Sequence, residues 1–481
     1  MIIKSYAVLI ATLICLALGT ATHAAEEAAS MKPNIVFIMA DDLGYGDLSC
    51  YGATRFQTPN IDILASEGIR FTDAHSPDSV CTPTRYGVLT GRYSWRGPLK
   101  SKVLWSGYEP LLIEKGRKTI GHMMKEMGYH TAQIGKWHLG WGDNQGKTDF
   151  AAETLPRGPR ELGFDYSFVT ASCKNMYPFV LVENRKAISK MKLNPEPETD
   201  FDKKNVHGPR LVAEDWNTAL VDQIYTHKTI DFLRRHKAQT PDQPFYIHLT
   251  YEAPHKPDDV PERFVGASDV SPRCDQILYL DAMVGRVLKA IEELGYEDNT
   301  LILFTSDNGA EPDGAGRQNG HFSNGELRGA KRSLYEGGHR VPLLARWPGT
   351  IQAGSTSDSL VCLTDMMATY AAITGYTLSP DMGEDSFNAW PAFLGRDEVI
   401  RESILHHDIS GALGIRSGRW KLIQATRKTK IDDGQKFAVF DMAKDWKETT
   451  NLIEEQLAIF EELRALIAEQ KANGRTAPRP Q

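Results

Sequence analysis

Residues 34–39, NIVFIM, are a compact apolar run with no polar alternation, as expected of a strand buried on both faces in a parallel sheet. Downstream, Thr58-Pro59-Asn60 opens a helix that Gly68 closes, using the proline and glycine asymmetry of helix ends. Residues 119–127 read as a second helix, stopped by Gly128 and followed by a short strand over 130–134. Residues 245–250 and 300–305 are further strands. Between them, residues 275–294 carry Leu278, Asp281, Met283, Val284, Val287, Leu288, Ile291 and Leu294, a largely 3.6-period stripe. This alternation predicts a doubly wound α/β domain, a mostly parallel sheet with helices on both faces.

The last hundred residues change character. Short strands at 403–409, 420–425 and 437–442 are separated by Gly-rich or charged turns, and 452–471 is one long helix. We expect a small antiparallel sheet packed by that helix. The boundary is expected between Gly375 and Arg401, which divides the chain into 1–25, 26–385 and 386–481. Residues 183–210 are polar and Pro-containing, and suit a surface loop over the sheet.

The chain has 481 residues, 41% hydrophobic and 24% charged, with 40 Gly and 25 Pro. That usage argues against disorder, a collagen-like repeat or a disulfide-dense miniprotein. Lys and Arg number 55 against 62 Asp and Glu, a net charge of −7, so no global basic field exists to hold nucleic acid. At the N-terminus Lys4, an apolar run over 7–18 and small residues over 20–25 read as an export signal cleaved after Ala24 or Ala25. The run is too short for a stable membrane span; the alternative is an uncleaved anchor. The mature chain is expected in the periplasm or secreted.

Four strand ends carry polar residues of a narrow kind: Asp41-Asp42, Gly135-Lys136-Trp137-His138, His255 and Asp307-Asn308. In open α/β sheets the ligand crevice lies beyond the carboxyl ends of the strands. Asp41, Asp42, Asp307 and Asn308 offer only oxygen ligands, a set that suits Ca²⁺, or Mg²⁺ less well, and zinc least. Taken singly, each acidic pair is also the composition of a solvated turn. Lys136 and His138 are two apart, so an extended segment projects both to one side, where they would neutralise an oxyanion and move a proton. Lys331 sits in a glycine-rich cationic run, 329–338, suited to an anion or to an ordinary basic loop.

Residues 79–92, SVCTPTRYGVLTGR, contain Cys81-Thr82-Pro83-Thr84-Arg85 followed by Leu89-Thr90-Gly91-Arg92. This resembles the signature of the formylglycine-dependent sulfatases, in which the cysteine of C-x-P-x-R becomes Cα-formylglycine during export. The resemblance extends to DDLGYGD (41–47), TPNID (58–62), GKWHLG (135–140), SDNG (306–309) and the segment around Lys331. It implies an alkaline-phosphatase-like α/β domain, a formylglycine-generating enzyme as maturation partner, and a sulfate ester as substrate. It also implies one Ca²⁺ held by Asp41, Asp42, Asp307, Asn308 and residue 81.

By the same resemblance a hydrated aldehyde at Cys81 attacks sulfur. Arg85 fixes that group, Lys136 and Lys331 hold sulfate oxygens, His255 protonates the leaving alcohol, and His138 removes the proton that releases sulfate. His248 competes with His255, but its place inside a strand favours packing. Two alternatives remain: a phosphodiesterase or phosphonate monoester hydrolase of the same superfamily, and a non-catalytic Ca²⁺-dependent binder of sulfated glycans. Tyr93, Trp95, Trp105, Tyr108, Trp137 and Trp141 would stack on a sugar face or pack in the core, and we expect a sulfated carbohydrate substrate. With Cys15 in the signal and Cys81 consumed, Cys50, Cys173, Cys274 and Cys362 would form two bridges or none.

Overall fold

A computed structural model describes residues 32–144, 148–426, 431 and 434–479. The signal reading and Cys15 lie outside the described residues. The strand Asn34–Ala40 is buried throughout. Its side chains point alternately to two cores. Ile35, Phe37 and Met39 pack with Leu89, Met123 and Tyr370, whereas Val36 and Ile38 pack with Ile277, Leu280 and Val284. Burial on both faces explains why residues 35–40 are wholly apolar, while Asn34 at the start is buried with its side chain bonded to Thr300 Oγ1 and the Phe245 amide. A fully buried side chain the size of Ile or Phe contributes roughly 1.5–3 kcal/mol.

The strand lies parallel between Phe245–Thr250 and Thr300–Ser306, with Met39 opposite both Thr250 and Thr305. His130–Lys136 and Tyr166–Thr170 continue the parallel run on the far side of Phe245–Thr250. Ten strands make up the whole sheet, and its outer parts include antiparallel pairings: Leu343–Arg346 runs against Thr300–Ser306 and against Ile69–Phe71, and Leu181–Glu183 against Tyr166–Thr170. The expected doubly wound, mostly parallel architecture is therefore present. Four parallel strands, those of 34–40, 130–136, 245–250 and 300–306, end on the same edge, which is where the chemistry-bearing residues follow.

Helix Pro272–Glu293 begins three residues earlier than its apolar stripe. Ser271 caps it by accepting from the Cys274 amide, and Pro272 occupies the first turn. Asp281, which interrupts the stripe, is buried and accepts from Asn60 Nδ2 at 2.6 Å and the Ile61 amide at 2.8 Å. It thus ties this helix to the start of Pro59–Ser66. Helix Val221–Gln239 escaped the sequence reading because its buried face uses Thr226, Thr229 and His236 beside Tyr225 and Leu233.

The C-terminal strands Ser403–His407, Leu413–Ser417, Trp420–Gln424 and Phe437–Asp441 form an antiparallel meander. Helix Leu457–Ala472 covers it through Phe460, Leu463 and Ile467, packed on Ile404, Ile415, Leu422 and Val439. The strand at 413–417 was not anticipated. Residues 183–210 are not a plain loop: Lys186–Ala187 and Met191–Leu193 are short strands and Asp200–Asn205 is a helical turn capped by Thr199. All five described cysteines are free thiols, so of the two disulfide outcomes the structure has none.

Candidate active site

The strand Asn34–Ala40 delivers Asp41 and Asp42 at its carboxyl end. Asp42 takes a left-handed backbone, φ 66°, uncommon for a residue with a side chain and typical of constrained sites. The turn is held from three directions. The Asp42 amide donates to Asp307 Oδ1 at 3.2 Å, the Leu43 amide to Ser306 Oγ at 2.9 Å, and Arg273 Nη2 to the Asp42 carbonyl at 2.7 Å. Arg273 is itself clamped by Asp47 through contacts of 3.0 and 2.6 Å, and Asp47 accepts from His321 at 2.8 Å.

Cys81 is the first residue of the helix Cys81–Thr90, every residue of which is buried. Pro83 fits its first turn, where amides lack partners within the helix. Arg85, four residues on, faces the same side as Cys81. Its Nε and Nη2 donate to Asp307 Oδ2 at 3.0 and 2.7 Å, and its Nη1 to the Lys136 carbonyl at 3.3 Å.

Lys136 ends the strand His130–Lys136 one residue after Gly135, whose φ is 115°. A Cβ at Gly135 would lie 1.9 Å from the Thr250 carbonyl, so only glycine lets the two strands approach here. Lys136 Nζ pairs with Asp41, and Lys331 Nζ lies 2.6 Å from Asp42 Oδ2. His138 adopts φ 51°. Its Nε2 lies 2.8 Å from the Leu104 carbonyl and 3.1 Å from Thr82 Oγ1, while Nδ1 lies 3.3 Å from Cys81 Sγ. The carbonyl requires a proton on Nε2, which leaves the Nδ1 lone pair facing residue 81.

His255 is oriented in the same way. Its Nδ1 donates to the Lys256 carbonyl at 2.7 Å, so Nε2 is the open nitrogen, 3.8 Å from Asp42 Oδ2. Cys173 Sγ lies 3.1 Å from Glu252 Oε2 and 3.7 Å from His255 Nδ1. His248 is held in the core, stacked on Phe37 and bonded to the Tyr246 hydroxyl at 2.9 Å, as its strand position led us to expect.

Three carboxylates and three cations thus meet out of water. Burial, the largest influence, works to raise Asp41, yet Lys136, His255, Arg85 and Lys331 hold its carboxyl well below the usual range. Burial and then the Asp41 charge push Asp307 well above that range despite Arg85. Burial, followed by the charge of Lys136, lowers His138 to about 3, and burial lowers His255 to about 3 against the pull of Asp41. Both rings are neutral near pH 7 in this state.

Two oxygens of Asp41, Asp42, Asp307 and Asn308 lack a hydrogen bond. Asp41 Oδ1 and Asn308 Oδ1 are buried and accept no hydrogen bond, which normally costs about 1–3 kcal/mol each. Asp41, Cys81 and Asp307 each place a ligand atom within 4.8 Å of the others. An all-oxygen set with two vacant acceptors fits a hard divalent cation, and Asp41, Asp42, Asp307 and Asn308 are the residues that would hold it.

All ten site residues expected from the sequence converge here. Asp47, Arg273, His321 and the Leu104 carbonyl were not anticipated. Asp47 belongs to the DDLGYGD run, but Arg273 and His321 carry no local signal. Of the aromatics, Tyr93, Tyr108, Trp137 and Trp141 are fully buried and pack the core, whereas Trp105 is half-buried beside Cys81.

The Sulfatase family model matches residues 33–376, and that of the N-sulphoglucosamine sulphohydrolase C-terminal region matches residues 328–473. The N-acetylgalactosamine-6-O-sulfatase of Bacteroides thetaiotaomicron is 33% identical over 91% of this chain and 93% of its own length. Human arylsulfatase A is 35% identical over 83% of this chain and 76% of its own. A Bacteroides thetaiotaomicron structure reported under the metabolism of multiple glycosaminoglycans superposes with a TM-score of 0.83, at 32% identity, over 92% of this chain and all of that one.

Proposed function

This chain belongs to the sulfatase family and is a sulfuric ester hydrolase, and from that premise we propose that it removes sulfate from a carbohydrate ester with a nucleophile made from Cys81. The observation that carries the reading is the placing of Cys81 Sγ 3.3 Å from His138 Nδ1, among Arg85, Lys136 and Lys331. Relatives named for N-acetylgalactosamine 6-sulfate support a sugar as the alcohol part. In this reading the part 26–385 carries the reacting groups, and 386–481 supplies Asp408, Ile409 and Ser410 to the wall of the neighbouring cavity. The charge and apolar pattern of residues 4–25 supports export, and no helix among the described residues is long and apolar enough to cross a membrane.

A Cα-formylglycine made from Cys81 by a formylglycine-generating enzyme would supply an aldehyde whose hydrate offers one hydroxyl to attack sulfur as the alcohol leaves, and a second whose deprotonation re-forms the aldehyde and expels sulfate. Ca²⁺ held by Asp41, Asp42, Asp307 and Asn308 would supply positive charge and a fixed template for oxygen atoms. The protein's own groups do the rest. Lys136 and Lys331 are buried and lie opposite carboxylates, so each keeps its proton and neutralises a sulfate oxygen where water does not screen it. Arg85 holds Asp307 by two hydrogen bonds and fixes the orientation of the first helical turn.

His138, with Nε2 committed to Leu104, has its Nδ1 lone pair aimed at residue 81 and accepts the proton there. His255 has Nδ1 committed to Lys256 and its Nε2 open. In the empty chain burial keeps it neutral; a bound ester anion supplies the charge that favours the imidazolium, which then protonates the leaving oxygen. The test is sulfate release from N-acetylgalactosamine 6-sulfate, alongside aryl sulfate and aryl phosphate. Turnover of both sulfates well above that of the phosphate is expected. Faster hydrolysis of the phosphate would contradict the assignment.

A further inference from the structure

A cavity of about 680 Å³ opens beside the reacting centre, lined by Lys102, Trp105, Asn205, Lys331, Arg332 and Ser410 among others. It leads to residue 81, because Trp105 and Ile409 pack on the apolar cluster of Val80, Cys81 and Val103, and Lys331 joins its wall to Asp42. Given the sulfatase reading on which this inference rests, the sugar that carries the ester must occupy this cavity.

The charge of its rim exceeds what one sulfate group needs. Lys102 and Arg332 are exposed. Among the described residues no ion pair or hydrogen bond engages the Lys102 ammonium. Arg332 is steered by Glu311 at 2.8 Å and keeps 46% of its side chain accessible. The one carboxylate of the lining, Asp408, is turned into its own loop, where Oδ1 accepts from the Ser410 amide and hydroxyl and from the Ala412 amide.

Both cationic residues also hold left-handed backbone, φ 72° at Lys102 and 78° at Arg332. A turn alone is served best by glycine there. Each turn is pinned by an amide bond, Lys102 N to the Ile409 carbonyl and Arg332 N to the Ser79 carbonyl, both at 2.8 Å. Two left-handed positions thus hold long cationic side chains in the lining of one opening. In the same lining the Trp105 ring is fixed edge-to-face on Phe201, with centroids 5.2 Å apart, and presents a flat apolar surface suited to a sugar face.

We infer that this cavity selects a sugar carrying a second anionic group, a sulfate on the same ring or a carboxylate on its neighbour, with Lys102 and Arg332 as the specificity-determining cations and Trp105 as the stacking platform.

The experiment compares three probes: N-acetylgalactosamine 6-sulfate, its 4,6-disulfate, and a disaccharide with a uronate next to the 6-sulfated sugar. The readout is kcat/KM on the matured enzyme, and affinity by calorimetry on Cys81→Ala, which turns none of them over. A preference of about tenfold or more for a doubly anionic probe is expected from two cationic contacts. It should shrink towards unity in Lys102→Ala and Arg332→Ala, mainly through KM, and fall with salt. Which of the two anionic probes is preferred identifies the source of the second charge. Equal or weaker use of both, or a preference untouched by both substitutions, overturns the subsite. Preferential binding to Cys81→Ala without turnover by the wild type would uphold the subsite and overturn the sulfatase reading.

Discussion

Cys81 Sγ and His138 Nδ1 face each other at 3.3 Å, both buried, and the ring cannot turn away because its Nε2 is bonded to the Leu104 carbonyl at 2.8 Å. The second bond decides the role of the first, since it fixes the tautomer that leaves a lone pair toward residue 81. His138→Ala should lower kcat by about 10²- to 10⁴-fold, the usual worth of a positioned base, with little change in KM. Steady-state kinetics on protein of matched Cys81 modification would show this; a kcat within threefold of wild type would remove His138 from the mechanism.

Asp41 Oδ1 and Asn308 Oδ1 are buried and accept no hydrogen bond. A divalent cation satisfies them, so Ca²⁺ should raise Tm by mass action. At one hundred times Kd the stabilisation is about 2.7 kcal/mol. Chelation should abolish activity, and Asn308→Leu should lose the Tm response. An unchanged Tm on adding Ca²⁺ to chelated protein would contradict the assigned ligand set.

Arg273 lies outside the reacting groups yet holds the Asp42 carbonyl and the buried Asp47 carboxylate. Breaking such a pair leaves a buried charge alone and costs about 3–5 kcal/mol. Arg273→Leu should therefore unfold at lower denaturant and bind Ca²⁺ about 10- to 100-fold more weakly, the usual effect of losing a group that orients a ligand. Asp47→Asn tests the same clamp from its other end. Normal Ca²⁺ affinity in both variants would show that the Asp42 turn holds itself.

Much of this was legible beforehand. Three of the strands that deliver the site, those before Asp41, His255 and Asp307, are largely apolar runs closed by polar residues, as burial on two faces favours, whereas His130–Lys136 buries Thr131 and Gln133 and is marked mainly by the residues around it. Arg273 and His321 were not legible. They reach Asp47 across separations of 226 and 274 residues, and nothing local marks an arginine in the first turn of a helix as a clamp. Helix Val221–Gln239 and the 413–417 strand were missed for a related reason: threonine, histidine and glycine fill buried places that a hydrophobic pattern leaves blank.

Asp222 offers a pH test away from the reacting groups. Its carboxylate accepts the Glu252 and Ala253 amides at 2.8 and 2.9 Å, just before His255. Burial, only partly opposed by Lys174, pushes it up to about 7. The folded chain therefore keeps a proton that the unfolded chain releases near pH ~4. Its contribution is full below that value and is lost as pH rises through about 7. Asp222→Asn, uncharged throughout, should be less stable than wild type at pH ~5, with a gap that narrows toward pH ~8. Thermal unfolding at the two pH values measures it; a widening gap would reverse the sign.

The most direct test of the central claim is the mass of the peptide containing Cys81, taken from protein that is actively releasing sulfate. Conversion to formylglycine exchanges the thiol sulfur for oxygen with loss of two hydrogens. The modified fraction should track specific activity across preparations, and Cys81→Ala should show neither. An intact Cys81 thiol in fully active protein would contradict the account.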